Sequence, residues 1–439
     1  MKTNTKYFWQ EKVEAASLNE LRALQLTSLR NIVSYAYSKV KFYRDLFDNL
    51  SIKPEQIKSF EELKRIPFTT KKDLANYYPY GFFAVPIKNI IRIHSSSGTT
   101  GKPTVVGYTR KDIEIWKDLI ARIMVMGGVS ENDIVQVAFH YGLFTGGFGL
   151  HYGAEHLGAT VIPVSSGNSK RQVMIMKDYK TTVLICTPSY GLHLAELIEE
   201  MGIKKDDLSL KSALLGGEPF SEKLRQRFEE SLGLVATDNY GLSEVMGPGV
   251  AGECLYKKGM HINEDYFYPE IIDPQTGEVL PEGSYGELVL TTLTREAMPL
   301  IRYRTRDITR IYYDRCPCGR TFIKMDKPKG RTDDMFIING VNIYPSQIEE
   351  VIYENRLFAG HYMMYIKKKG YLDSLEIHVE VDESIFYDEM KKQKALLDAL
   401  ADKINNTLGV KAIIKFVSPK TIERFDGKSK RVVDLRNIE

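Results

Sequence analysis

The chain has 439 residues, 43% of them hydrophobic and 27% charged, ordinary values for a globular protein that exclude the disordered and fibrous classes. At ~150 residues per domain the length accommodates about three domains, or one large and one small. With 60 basic and 57 acidic side chains the net charge is +3, too balanced to mark a nucleic-acid-binding surface, and four cysteines in so long a chain indicate a reducing, cytoplasmic setting rather than a disulfide scaffold.

Residues 1–85 read as a helical start. Ser17-Leu-Asn-Glu20 fits a capping box, in which hydroxyl and carboxylate satisfy the free N–H groups of a helix N-terminus. Leu21, Leu24, Leu29, Ile32, Val33 and Ala36 then recur at helical spacing as one apolar face. Pro67 and Thr69-Thr70 precede a further short helix.

From about residue 90 short apolar runs alternate with helix-length segments. The strands expected are Ile90–Ile93, Ile134–Phe139, Thr160–Val164, Thr182–Cys186, Ser212–Leu215 and Leu234–Ala236, with helices such as Lys111–Val125 and Ser221–Ser231 between them. This is the pattern of a layered α/β domain, because parallel strands need long crossovers. Ile134 to Ala154 runs 21 residues without a charged side chain, about enough to cross a bilayer. Its five glycines with Gln136, His140 and His151 fit a strand, a bend and a buried helix instead, so no membrane span is expected. Past residue 250 the runs crowd together (Glu287–Thr292, Leu300–Arg304, Thr309–Tyr313), which predicts an antiparallel portion.

The charged stretch Lys327–Asp334 divides a large N-terminal domain, 1–332, from a small α+β domain, 333–439. The latter is expected to hold strands His361–Ile366, Ser374–Val381 and Lys411–Val417 and a helix over 384–408.

His94-Ser-Ser-Ser-Gly-Thr-Thr-Gly-Lys-Pro-Thr104 lies between two expected strands. Small residues let backbone N–H groups converge on an anion, and the hydroxyls and Lys102 add donors and charge, which suits nucleotide phosphates. The Gly98 to Lys102 spacing is too short for a Walker loop. By itself such a cluster fits a hydroxyl-rich surface loop equally well. It is followed, however, by Thr237-Asp-Asn-Tyr-Gly-Leu-Ser-Glu244, Arg302-Tyr-Arg-Thr-Arg-Asp307, Gly330-Arg-Thr-Asp-Asp334 and Gly427-Lys428.

In this order and spacing the set resembles the adenylate-forming superfamily of acyl-CoA synthetases. Tyr141-Gly-Leu-Phe-Thr-Gly-Gly147, Tyr240 to Gly249 and Gly340-Val-Asn-Ile-Tyr-Pro345 are similar to the phenylacetate–CoA ligases within it, over nearly the whole chain. The resemblance implies a two-step reaction. A carboxylate attacks the α-phosphate of ATP to give acyl-AMP and pyrophosphate, and the thiol of coenzyme A then displaces AMP. It also implies a mobile C-terminal domain and a homodimer.

The same resemblance implies the site. Ser95, Ser96, Ser97, Gly98, Thr99, Thr100, Gly101 and Lys102 would wrap the β- and γ-phosphates, and Glu244 would reach Mg²⁺, a hard cation preferring carboxylate oxygens. Gly216, Gly217, Glu218 and Gly241 would belong to the nucleotide-binding set, Tyr240 would lie against the adenine with Asp238 or Asn239 offering polar contacts to its edge, Asp307 would accept the ribose hydroxyls, and Arg331 would touch ribose or phosphate. Lys428 would bridge the substrate carboxylate and the α-phosphate, Asp333 would be the hinge, and Gly340 would line the pantetheine channel. Tyr141, Phe144, Gly147, Pro248 and Gly249 would wall a flat aryl acid, phenylacetate or a relative, although ordinary core is an equal reading of those five. Arg302, Arg304 and Arg306 also fit a surface ion-pair strand, and the wider superfamily often carries glycine where Arg306 stands.

Cys316-Pro-Cys-Gly319 lies downstream of Cys254 and His261. Antiparallel packing that joined the two pairs would form a Cys₃His set of the structural-zinc type, with inert thiols as the alternative. Cys186, inside an apolar run, reads as a buried thiol. Two other functions stay open: acyl transfer to a carrier-protein thiol or an amine, and non-catalytic sensing of a nucleotide or aryl acid.

Overall fold

A computed structural model describes residues 8–96, 103–338, 341–355, 357–369, 372–382, 385, 390–424 and 431–436. The chain divides into two compact units. The first contains the chain up to Cys186, Ile203–Gly217 and Gly233–Lys327; the second contains Thr187–Gly202, Glu218–Leu232 and the chain from Pro328 on. This differs from a simple division at residue 332, because the two crossover helices Pro188–Glu200 and Glu222–Leu232 fall in the second unit.

The first unit opens with helix Leu18–Lys39, which starts at the Ser17 capping box. Its buried face runs through Leu21, Gln25, Leu29, Ile32, Val33 and Ala36, not through Leu24, which is 43% exposed. A polar side chain serves on this face because the Gln25 amide donates to the Glu264 carbonyl at 3.0 Å. The short helix after Thr70 spans Lys71–Asn76.

A nine-stranded mixed sheet forms the centre. Thr160–Ile162, Ile134–Val137, Val183–Cys186, Ser212–Gly216 and Val235–Leu242 lie side by side and parallel. Residues Ser243 to Met246 then reverse the chain so that Gly247 faces Leu242. Gly247–Glu253, Met260–Ile262, Lys324–Met325 and Ile311–Tyr312 continue the sheet antiparallel. Strands Phe267–Ile272, Gly286–Thr292 and Tyr303–Thr309 make a separate antiparallel group. The last begins three residues later than expected, because Leu300 and Ile301 are core residues and Arg302 takes a left-handed φ of 49° before the strand starts.

The uncharged stretch at 134–154 resolves into strand Ile134–Val137, a bend and helix Thr145–Leu157. Among the described residues no helix is long and apolar enough to cross a membrane.

In the second unit, Phe358–Lys369 pairs antiparallel with Leu372–Val381 and parallel with Val432–Asp434, and Leu372–Val381 pairs parallel with Ala412–Val417. Helices Pro345–Tyr353 and Met390–Leu408 complete it. Within the unit, Arg227 donates to the Phe358 carbonyl at 2.9 Å and His361 meets Glu196 at 3.1 Å.

Candidate active site

Parallel sheets bind ligands at the carboxyl ends of their strands, where the loops diverge. In the first unit that edge carries Gly216, which is in register with Asn239. A Cβ on Gly216 would stand 2.7 Å from both the carbonyl oxygen and the side-chain nitrogen of Asn239, so only glycine allows this approach. Asn239 donates to the Leu215 carbonyl at 2.7 Å, and the Asp238 N–H donates to Glu253 at 2.8 Å. Asp238, Asn239, Glu244 and Asp307 are all less than a tenth exposed.

The Tyr240 hydroxyl donates to the Asp307 carboxylate at 2.5 Å. This charge-assisted bond joins the central sheet to the antiparallel group, and so brings together residues 67 positions apart in sequence. Arg306, immediately before Asp307, has φ +67°. That left-handed backbone is the conformation glycine adopts without strain. The three arginines do not form a surface ion-pair strand: Arg302 is buried on Glu270 at 3.0 Å, Arg304 meets Glu287 at 2.5 Å, and only Arg306 is exposed.

Glu244 is answered by Lys71, whose Nζ lies 3.6 Å from its carboxylate. Sequence reasoning missed Lys71. It sits in the helical start with no motif around it, and the one local signal is Thr70, the N-cap that begins its helix. Thr145 Oγ1 lies 3.0 Å from Ser243 Oγ, which holds the start of helix Thr145–Leu157 beside Glu244. Ser95 and Ser96 donate their N–H groups to the carbonyls of Leu143 at 2.9 Å and Thr104 at 3.0 Å, and the buried Ser96 hydroxyl has no hydrogen-bond partner among the described residues. A buried hydroxyl in that state suits an anion-binding segment. Ser97, Gly98, Thr99, Thr100, Gly101, Lys102, Gly340 and Lys428 lie outside the described residues.

The five acyl-wall residues divide. Tyr141 is half-buried with its hydroxyl 3.2 Å from His151 Nδ1, and burial raises its pKa well above the ordinary phenol value. Phe144 is 44% exposed. Gly147 admits no side chain, since a Cβ would meet the His140 carbonyl oxygen at 2.5 Å. The Pro248 carbonyl accepts from Trp116 Nε1 at 2.8 Å, and the Gly249 carbonyl accepts from Asn263 at 2.8 Å. Gly249 packs on Leu119 and Ile120 of helix Arg110–Met126. In the second unit, Glu218 accepts the Ser189 hydroxyl at 2.8 Å, and Arg331 donates to both oxygens of Asp333 at 2.8 and 3.1 Å.

Away from the strand ends, Cys254, His261, Cys316 and Cys318 converge, all buried, with their ligand atoms within 4.8 Å of one another. Cys254 directly follows strand Gly247–Glu253 and His261 sits in the next, while the two other thiols lie in the hairpin that pairs beside His261. Cys254 Sγ is 3.6 Å from Cys316 Sγ, and Cys318 Sγ is 3.5 Å from His261 Nε2. Hydrogen bonding among the three thiols raises the Cys254 pKa and lowers that of Cys318. Three sulfurs and one imidazole at this spacing match the donor set of tetrahedral zinc. Cys186 is buried in strand Val183–Cys186.

Comparisons with known proteins agree with this layout. A family model for AMP-binding enzymes matches residues 51–293, and one for the AMP-binding enzyme C-terminal domain matches residues 340–436. The chain is 49% identical to the phenylacetate-coenzyme A ligase of Aromatoleum evansii, over 98% of each chain. It is 46% identical to that of Thermus thermophilus, over 98% of this chain and 99% of the relative. A crystal structure of 2-hydroxyisobutyryl-CoA ligase in the postadenylation state, in complex with 2-HIB-AMP, superposes with a TM-score of 0.92 at 31% identity, covering 99% of this chain and 93% of that one.

Proposed function

The chain belongs to the AMP-binding enzymes, in the phenylacetate–coenzyme A ligase family, and from that membership we propose that it is an AMP-forming ligase joining an aryl acid, phenylacetate in the first instance, to coenzyme A. A carboxylate resists nucleophilic attack because of its charge, and adenylation gives it a leaving group. Catalysis then consists largely of in-line positioning and neutralisation of phosphate charge. The observation that carries the reading is the meeting of Tyr240 and Asp307 through the 2.5 Å bond, within a chain alike to these ligases over 98% of its length.

In this reading adenosine lies along Gly216, Gly217, Asp238, Asn239, Tyr240 and Gly241 with its ribose on Asp307, and the phosphates lie on residues 95–102. Glu244 fits a magnesium ligand because it is a buried carboxylate, the oxygen donor this hard cation prefers; when bound, magnesium would supply charge neutralisation at the phosphates. Tyr141, Phe144, Gly147, Pro248 and Gly249 border the acid, Gly340 lines the coenzyme A channel, and Asp333 is the hinge between domains 1–332 and 333–439. The Cys₃His cluster holds a structural zinc, since four protein ligands leave no position for chemistry. The same reading makes the protein a cytoplasmic homodimer, which sedimentation and fractionation check.

The test is acid-dependent ATP–pyrophosphate exchange over a panel of aryl and aliphatic acids, followed by thioester formation with free coenzyme A. Exchange without thioester would redirect the acyl group to another acceptor, and no exchange with any acid would end the reading. Lys428→Ala should depress adenylation strongly and leave thioester formation from supplied acyl-AMP largely intact; equal losses would remove Lys428 from its role.

A further inference from the structure

His94 stands in strand Arg92–Ser95, directly before the hydroxyl-rich loop, and is 2% exposed. Its Nδ1 lies 3.1 Å from the Leu143 carbonyl oxygen. A carbonyl only accepts, so Nδ1 carries the proton. Burial lowers the imidazole pKa, with Arg92 and Arg295 adding to the effect, which keeps the ring neutral near pH 7. Nε2 is buried without a hydrogen-bond partner among the described residues. The ring is wedged among Tyr108, Trp116 and Phe148 at centroid distances of 5.6, 6.0 and 5.7 Å.

The same Leu143 carbonyl accepts the Ser95 N–H at 2.9 Å. Two consecutive residues of the strand thus grip one carbonyl of the Tyr141–Thr145 segment. The Leu143 side chain is 64% exposed and that of Phe144 is 44% exposed, so apolar burial does little to hold this segment. Its far end is tied by Thr145 to Ser243 at 3.0 Å, one residue before Glu244. The segment is therefore a strut, anchored at one end to strand Arg92–Ser95 and at the other beside Glu244.

We propose that His94 is a positioning residue for adenylation: by clamping the Leu143 carbonyl together with the Ser95 N–H, it makes acid binding against Tyr141 and Phe144 and nucleotide binding at Ser95 and Ser96 mutually reinforcing. This rests on the functional reading above for where the two substrates lie. An acid that orders the strut also orders the clamp, and by linkage the nucleotide must favour the acid by the same factor.

The experiment is calorimetric titration of the magnesium complex of α,β-methylene-ATP into the full chain, with and without phenylacetate, alongside thermal melting. The wild type should show a coupling on the order of ten-fold. His94→Leu, which fills the ring's space and removes the donor, should bring it close to one with the melting temperature retained. His94→Asn, whose amide nitrogen reaches the δ position, should keep most of it. Should His94→Leu fail to fold, His94→Gln replaces it, because its amide reaches the ε position and leaves Leu143 without the donor. Coupling preserved in the variants that lack the δ donor, or absent from the wild type, overturns the proposal. Acid-dependent pyrophosphate exchange measured in parallel separates that outcome from failure of the ligase reading itself, in which the wild type shows no exchange.

Discussion

Removing the proposed zinc from the Cys₃His cluster should destabilise the first unit without touching the strand-end site. The four ligand atoms lie within 4.8 Å of one another in a buried setting, so they are preorganised in the folded state alone, and binding energy becomes folding energy. A ligand present at 100 to 1,000 times its dissociation constant contributes about 3–4 kcal/mol. For a unit of this size each kcal/mol moves the melting temperature by roughly 2–4 °C, so chelation should lower it on the order of 10 °C. The loss should spread along a specific path. The Arg320 N–H points to Cys318 Sγ at 3.5 Å, its guanidinium holds buried Glu14 at 2.7 Å, and Thr321 donates to the Glu14 carbonyl at 3.0 Å. Chelation should therefore expose the N-terminal helix Glu11–Glu14 to proteolysis early. The assay is zinc quantification on protein purified without chelator, then melting with and without phenanthroline, for the wild type, Cys316→Ser and Cys186→Ser. Wild type and Cys186→Ser should respond alike, and Cys316→Ser should start low and respond little. Substoichiometric metal in the untreated wild type, or an equal shift in Cys316→Ser, would refute the reasoning.

Lys71→Gln leaves Glu244 without its counter-charge. Lys71 is itself 39% exposed and screened, so the cost to stability should be about 1 kcal/mol, while the ATP KM in pyrophosphate exchange should rise; an unchanged KM would confine Lys71 to a structural role. Arg306→Gly removes a side chain from a backbone at φ +67° and should stabilise the fold by about 0.5–1 kcal/mol, read as a small rise in melting temperature; a fall would show that the arginine itself contributes more than its strain costs. Glu376 is pushed upward by burial, yet Lys415, His378 and Lys367 hold it down at a pKa of about 2. A depressed carboxylate contributes stability above its unfolded value near 4.5, and that contribution is lost as the pH falls through about 2. The acid limb of the Glu376→Gln stability curve should accordingly be shallower than wild type between those values; parallel limbs would contradict the assigned cause.

Features written into contiguous residues were readable before any coordinates. Ser17 and Glu20 announce a helix start because the capping box is completed within four residues, and the structure forms it. Cys254, His261, Cys316 and Cys318 could be grouped because metal-ligating types are scarce and antiparallel strands return on themselves; all four meet. What escaped depended on partners distant in sequence. Gln25 replaces Leu24 on the buried face because Glu264, 239 residues away, satisfies its amide. Arg302 leaves the surface because Glu270 is buried beside it. Lys71 joins the site only through a salt bridge to a residue in another motif.

The same distinction separates the reaction from its substrate. The roles proposed for Asn239, Tyr240, Glu244 and Asp307 rest on side chains whose chemistry is explicit in their identity, so a short ordered set of them points to nucleotide chemistry. The acyl wall is different. Pro248 and Gly249 are held by their carbonyls, to Trp116 and Asn263, and by packing on Leu119 and Ile120. The shape they present is thus decided by helix Arg110–Met126, which carries none of the motifs. The solved ligase that superposes at a TM-score of 0.92 was captured with 2-HIB-AMP, whereas the full-length relatives at 46–49% identity are phenylacetate-coenzyme A ligases. Solved and curated relatives of one fold thus carry names for acids of different shape, and the proposed wall places selectivity in the side chains that back it. Trp116, whose indole N–H fixes Pro248 and whose ring would collide with any Cβ on Gly149 or Gly247 at 2.3 and 2.6 Å, is the place where a change of volume would alter acid preference while leaving Tyr240, Glu244 and Asp307 untouched.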